Sequence, residues 1–155
     1  MTLATLELKI PPPLVGLACA LMMGALGYAF EGLPLATAPR GIAAGLLALA
    51  GLAFDVAGLV AFRRARTTIN PLRPQKSSSL VSGGVYRHTR NPMYVGMACI
   101  LLGWAVWLAQ PLALLGPVMF VLYITRFQIR PEEKVLMGLF GEEFTAYAAK
   151  VRRWL

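Results

Sequence analysis

Gly83-Gly84-Val85-Tyr86-Arg87-His88-Thr89-Arg90-Asn91-Pro92-Met93-Tyr94-Val95-Gly96 is a polar knot in an otherwise apolar chain, and its reading decides the fold. Arg87, His88 and Arg90 crowd together with Tyr86, Tyr94 and the Asn91 amide. A diglycine leads in, and Pro92 stands where an apolar run begins. Proline is favoured at the first helical position, because the N–H it lacks has no intrahelical partner there. The stretch therefore predicts a loop that enters an apolar helix at Pro92, with Arg90 and Asn91 at its N-terminus. Free N–H groups and the positive end of the helix dipole suit an anion at that place. Gly96, one turn on, admits another group close to the backbone.

Outward from the knot, Pro92 to Ala109 is an apolar span, Gln110-Pro111 a tight turn, and Leu112 to Phe127 a further span, strictly apolar as far as Ile124. From Arg130 to Leu155 the pattern is amphipathic: Val135, Leu136, Leu139, Phe140 and Tyr147 recur near helical period, with a break at Gly141. Arg152-Arg153-Trp154 reads as an interfacial anchor. On the N-terminal side, Arg63 to Asn91 is basic and contains Pro and Ser; its 29 residues are long for a structureless connection. Thr67 to Pro71 reads as a turn, and Lys76-Ser77-Ser78-Ser79 as an exposed tip. Ile42 to Phe62 is a strong span whose one charge is Asp55, and Gly41, Gly45, Gly51 and Gly58 predict close helix packing. Glu31 to Gly41 reads as a loop, Leu14 to Phe30 as the first span, and Met1 to Pro13 as a short amphiphilic lead. That lead carries both Glu7 and Lys9 without basic excess, which argues against a cleaved signal peptide.

With 155 residues, 57% of them hydrophobic, and a mean hydropathy of +0.63, the chain is too apolar for a soluble domain and long enough for one domain, 1–155. The expected fold class is all-α: a multi-pass integral membrane protein with about four transmembrane helices and a C-terminal amphipathic cytosolic helix. The net charge of +8 lies beside apolar spans, so the partner it implies is the anionic surface of a lipid bilayer and not nucleic acid. With four crossings, 14 Lys/Arg fall on one side and Arg40 alone on the other, which makes the crowded side cytosolic. Cys19 and Cys99 sit inside apolar spans and read as small core hydrophobes. No metal-ligand spacing, GxGxxG or Walker loop occurs.

Leu80-Val81-x-x-Gly84-x-Tyr86-x-x-x-Arg90-Asn91-Pro92-x-Tyr94-x-Gly96 resembles the signature of the isoprenylcysteine carboxyl methyltransferase and phospholipid methyltransferase superfamily. A second block, Glu132-Glu133-x-x-Leu136 followed by Phe140-Gly141-Glu142-Glu143-Phe144-x-x-Tyr147, agrees with it in order and separation. The resemblance covers about Gly45 to Val151. Many relatives carry His-Pro where this chain has Asn91-Pro92, and the Asn form resembles bacterial members.

The resemblance implies an integral membrane enzyme that uses S-adenosyl-L-methionine, in a bacterial inner membrane with its active site facing the cytosol. It implies catalytic roles for Arg90, Asn91, Arg130 and Glu133, and cofactor contacts from Leu80, Val81, Gly84, Tyr86, Arg90, Asn91, Tyr94, Glu132 and Glu133. Physically, Arg90 and Asn91 suit the cofactor carboxylate, Tyr86 and Tyr94 the adenine or the sulfonium, and Glu132 and Glu133 the amine or a ribose. Arg126 or Arg130 could hold an acidic acceptor group. A structural Arg90–Glu133 ion pair with an interfacial belt of tyrosines is the alternative reading. The implied acceptor is lipophilic or prenylated, foremost an isoprenylcysteine carboxylate, with a phospholipid headgroup amine or a thiol as alternatives. A non-catalytic helical scaffold is the reading from another class. The Ala109-Gln110-Pro111 connection permits only an antiparallel hairpin, so the two polar blocks should meet at one level and enclose a pocket.

Overall fold

The computed structural model describes residues 7–66 and 72–155; the turn expected at Thr67 to Pro71 lies outside them. The described residues are helical, with no strand among them. Helix α1 spans Pro12–Ala29, α2 Thr37–Ala65, α3 Pro92–Leu108, α4 Leu115–Ile124 and α5 Arg130–Lys150. Prolines open α1 and α3 in the first turn, where a missing N–H costs nothing; Pro131, in α5, leaves the Phe127 carbonyl four residues earlier to the Leu8 N–H.

Exposure along the helices is inverted relative to a soluble protein. In α2 only Gly51 and Gly58 are buried, while Leu46, Leu49 and Leu52 are each more than half exposed. Such an all-round apolar surface fits lipid and not water. Three helical runs are long and apolar enough to cross a membrane: Pro12–Ala29, Thr37–Ala65 and Pro111–Lys150; α3, at 17 residues, is shorter. The apolar part of the last run ends by Phe127, before Arg130 and the acids that follow it.

Two expectations are corrected. Helix α2 starts at Thr37, not Ile42, and takes in Ala38, Pro39 and Arg40. Pro39 is tolerated in a first turn, and Arg40 finds a partner by stacking over Trp107 at 5.1 Å. The fourth apolar segment and the C-terminal helix are also not separate. A 3-10 turn at Pro111–Leu114, α4, a π-helical turn at Thr125–Ile129 and α5 run on without a gap. The break falls at Gly141, whose φ of 48° and ψ of −118° are a glycine conformation.

Glycines set the α2–α3 contact. A Cβ on Gly51 would lie 2.6 Å from the Gly96 carbonyl oxygen, and one on Gly103 would lie 2.9 Å from that of Ala44. Gly51 and Gly58 on α2, and Gly96 and Gly103 on α3, each stand two turns apart, so the two backbones touch along one seam. Gly45, also expected in that packing, takes no part: a Cβ there would meet nothing within 4 Å.

Backbone hydrogen bonds tie the helix ends together. At one end, Leu33 N–H donates to Ala109 O at 2.7 Å and the Gln110 amide to Glu31 O at 2.8 Å. At the other, Leu8 N–H donates to Phe127 O at 3.0 Å. From α1 to α4, successive helices therefore run antiparallel, and α5 continues α4. The start of α3 and the π-helical turn share the end opposite Arg40. The core lies between α1, α3 and α4 and contains Met23, Leu101, Phe120 and Ile124.

Candidate functional site

The site is built on the antiparallel α3–α4 hairpin, which returns Arg90 and Glu133 to one level. The Arg90 guanidinium lies 2.6 Å from Glu133 Oε1. Its Nη1 donates to Ala148 O at 2.9 Å and Val151 O at 2.5 Å. Arg90 thus caps the C-terminus of α5, where a cation meets the negative end of the dipole. Arg153 grips the same carboxylate from the other side, at 2.7 Å to Glu133 Oε2.

Glu132, the adjacent residue, has a different environment. Its Oε1 accepts from the Tyr94 hydroxyl at 2.9 Å and from Gln128 Nε2 at 2.8 Å. Gln128, 2% exposed, sits in the π-helical turn four residues before Glu132. Such a turn shifts the side-chain register of a helix by part of a turn, a feature common at functional sites.

The protonation states of the two acids diverge. Burial pushes the Glu132 carboxyl up to about 7, against the opposing hydrogen bonds from Gln128 and Tyr94. Burial also acts on Glu133, but the hydrogen bonds and charges of Arg153 and Arg90 outweigh it and hold that carboxyl below its usual range. Burial raises the hydroxyls of Tyr86 and Tyr147.

A pocket of about 120 Å³ opens between these groups. Its polar wall carries Arg90, Asn91, Glu132 and Glu133, and its aromatic wall Phe62, Tyr86, Tyr94, Phe144 and Tyr147. Tyr86 meets Phe62 edge-on at 5.6 Å, and the Tyr147 hydroxyl donates to Tyr86 O at 2.8 Å. The third side is the irregular segment Ser77 to Val81, tied to α2 by the Ser79 hydroxyl on Ala65 O at 3.1 Å.

Of the residues singled out from the sequence, Leu80, Val81, Tyr86, Arg90, Asn91, Tyr94, Glu132 and Glu133 line this pocket. Gly84 does not; it turns the chain with φ of 61° and borders a second cavity against Ala57, Ala61 and Arg64. Arg130 is exposed and stands outside the pocket, and Arg126 instead pairs with Glu7 at 2.7 Å. Asn91 donates through Nδ2 to Arg153 O at 2.9 Å. His88 is exposed and lines neither cavity.

Sequence reasoning missed Phe62, Gln128, Thr89 and Arg153. Phe62 and Gln128 look like ordinary span-end residues. Thr89, fully buried, was a visible polar neighbour of Arg90. Arg153 was read as an interfacial anchor with Trp154. In the fold Trp154 packs against the core and donates to Thr125 Oγ1 at 3.1 Å.

The comparisons with known proteins agree with this architecture. A Haemophilus influenzae protein of uncharacterized function is 49% identical over 63 residues, which are 41% of this chain and all of that protein. The protein-S-isoprenylcysteine O-methyltransferase of Xenopus laevis is 40% identical over 78 residues, 48% of this chain and 26% of that protein. The Saccharomyces cerevisiae protein of the same name is 37% identical over 75 residues, 46% of this chain and 30% of that protein. The matched segment thus spans less than a third of either of these two methyltransferases. No solved structure matches the chain. The family model described as phospholipid methyltransferase matches residues 39–143, from the first turn of α2 to just beyond Gly141, and so takes in the first polar block and the second as far as Glu143. On that match the chain belongs to the phospholipid methyltransferase family, within the superfamily that also holds the isoprenylcysteine carboxyl methyltransferases.

Proposed function

We propose that the protein is a membrane methyltransferase that carries a methyl group from S-adenosyl-L-methionine to a lipid-like acceptor, foremost the carboxylate of an isoprenylcysteine-type substrate. The observation that carries the reading is Glu132: a buried carboxyl that pairs with no cation among the described residues, set among Tyr86, Tyr94, Tyr147 and Phe62. An anion inside an aromatic cage suits a soft organic cation, and the cofactor offers a sulfonium and an ammonium.

The rest of the pocket fits the same ligand. Leu80, Val81, Ile129 and Leu136 give an apolar wall for a purine, and Ser77 and Asn91 stand at its polar rim. When bound, the cofactor supplies an electrophilic methyl carbon. The protein aligns the nucleophile with it and excludes water. Tyr94 and Gln128 fix the Glu132 carboxyl, while Arg90, Asn91 and Glu133 hold the frame that carries it. Arg130, exposed beyond the rim, is available to an acidic group of the acceptor. A pocket of about 120 Å³ is below the ~300–1,000 Å³ of typical ligand sites, so its walls part on binding. The Ser77–Val81 side is irregular and is held to the end of α2 by two serine hydroxyls. Gly84 supplies the turn beside it.

A carboxylate acceptor needs no general base, and the names of the relatives favour it. A phospholipid headgroup amine is the second reading. Glu132, with its carboxyl at about 7, is placed to take the proton such an amine must lose. The charge asymmetry puts the pocket on the cytosolic side, where the cofactor is soluble and a greasy acceptor arrives through the bilayer.

The test is calorimetric titration of the detergent-solubilised protein with S-adenosyl-L-methionine. Labelled-methyl transfer to a prenylcysteine analogue and to an aminophospholipid follows. Binding with transfer to the prenylcysteine is expected. Transfer to the amine alone selects the second reading, and no binding with no transfer defeats both.

A further inference from the structure

Helix α5 ends at Lys150, and the chain continues in extended conformation with Val151 at φ −121° and ψ 134°. This tail passes directly over the loop that enters α3. Val151 O accepts from Arg90 Nη1 at 2.5 Å, and Arg152 O from the Arg90 backbone N–H at 2.9 Å. Arg153 O accepts from the Thr89 hydroxyl at 3.0 Å and from Asn91 Nδ2 at 2.9 Å. Three consecutive motif residues thus direct polar groups to the tail. The side chains answer in kind. Arg153 Nε and Nη2 reach Glu133 Oε2 at 2.9 and 2.7 Å, and Trp154 is bonded to the π-helical turn.

The geometry assigns to Val151–Arg153 the role of a brace behind the ligand site, outside its lining, with Arg153 as a positioning residue that acts through Glu133. With Arg90 on one oxygen and Arg153 on both, Glu133 is fully engaged by guanidinium groups. Its charge is thereby met by two arginines, and among the described residues that line the pocket Glu132 is the carboxyl without a cationic partner. Losing Arg153 frees one side of Glu133 and loosens Arg90, whose other bonds run to the same tail. The inference rests on the cofactor reading above.

The test compares Arg153→Gln, Arg153→Lys and Arg152→Gln with the wild type in calorimetric affinity for S-adenosyl-L-methionine. Arg152 is exposed, and the loop meets its backbone carbonyl, which Gln keeps, so its side chain controls for the loss of one positive charge. Arg153→Gln is expected to weaken binding roughly ten- to a hundredfold, as for loss of charge-assisted contacts. Arg153→Lys, which keeps the charge and one donor direction, recovers most of it, and Arg152→Gln stays at wild-type affinity. Hydrogen exchange of the wild-type segment 148–155 gives a second readout that needs no variant to fold, and it is expected to slow when the ligand binds. A wild type that binds, with Arg153→Gln equal to Arg152→Gln or with exchange unchanged, overturns the role of the tail and leaves the cofactor reading standing. A wild type that does not bind overturns both.

Discussion

Glu132 and Glu133 are neighbours in sequence and opposites in electrostatics. Helical geometry turns successive side chains about 100° apart, so one meets two arginines and the other meets Tyr94 and Gln128. The consequence for stability has a definite sign. The folded Glu132 carboxyl lies at about 7, above the value of 4.5 it has when unperturbed. Its contribution is therefore complete below pH 4.5 and is lost as the pH rises through about 7. Glu133, held low, acts with the opposite sign and below that window. Thermal melts in detergent between pH 5 and 8 should show the wild type losing stability with rising pH relative to Glu132→Gln. The amide removes the titration while retaining an oxygen that can accept from Tyr94. Parallel melting curves for the two proteins across this range would show that Glu132 does not titrate there.

Among the elements, the α2–α3 pair shows what the glycine of the first motif does. Gly96 does not line the pocket; it lets α2 approach, with Asp55 Oδ1 and the Gly51 carbonyl where a side chain would begin. The third helix is thereby held at the register that puts Tyr94 and Asn91 opposite Phe62 of α2 across the pocket. Backbone and a buried carboxyl cannot yield as the tip of a flexible side chain can. Gly96→Ala is therefore expected to destabilise the protein by about 1–3 kcal/mol or more. Gly45→Ala, at a site with nothing within 4 Å, is expected to leave stability unchanged or slightly raised through helix propensity. Chemical denaturation in mixed micelles compares the two. Equal effects would mean that the seam is not close-packed at Gly96. The same close approach explains why glycines at Gly51 and Gly58 are compatible with a long helix: the packing they permit offsets their entropic cost.

At the scale of the whole molecule, charge and helix direction point the same way. Arg40 stands at the end tied by Glu31, Leu33 and Gln110, and the four crossings expected from the sequence assign the other 14 Lys/Arg to the opposite end. We expect both termini and the pocket on the cytosolic side. In a background with Cys19 and Cys99 replaced by alanine, single cysteines at Thr37 and Ser78 should label from opposite faces of intact cells. Labelling from the same face would refute a crossing between α2 and the loop after it.

The sequence by itself determined the helical, membrane-embedded character, because hydropathy and proline placement are local properties that no tertiary contact needs to supply. It also brought Arg90 and Glu133 together, since a three-residue connection leaves only an antiparallel hairpin. The early start of α2 was decided by tertiary structure, through the stacking of Arg40 on Trp107. So was the continuity of α4 with α5 through a π-helical turn, a register shift that a periodic pattern does not record. The tail is the clearest case. Arg153 and Glu133 are twenty residues apart in sequence, and a basic C-terminus beside a tryptophan reads by composition as a surface anchor. Only the fold shows that α5, broken at Gly141, returns the chain end to the loop before α3, where desolvated carbonyls and a carboxylate require the donors that Thr89, Arg90, Asn91 and Arg153 provide.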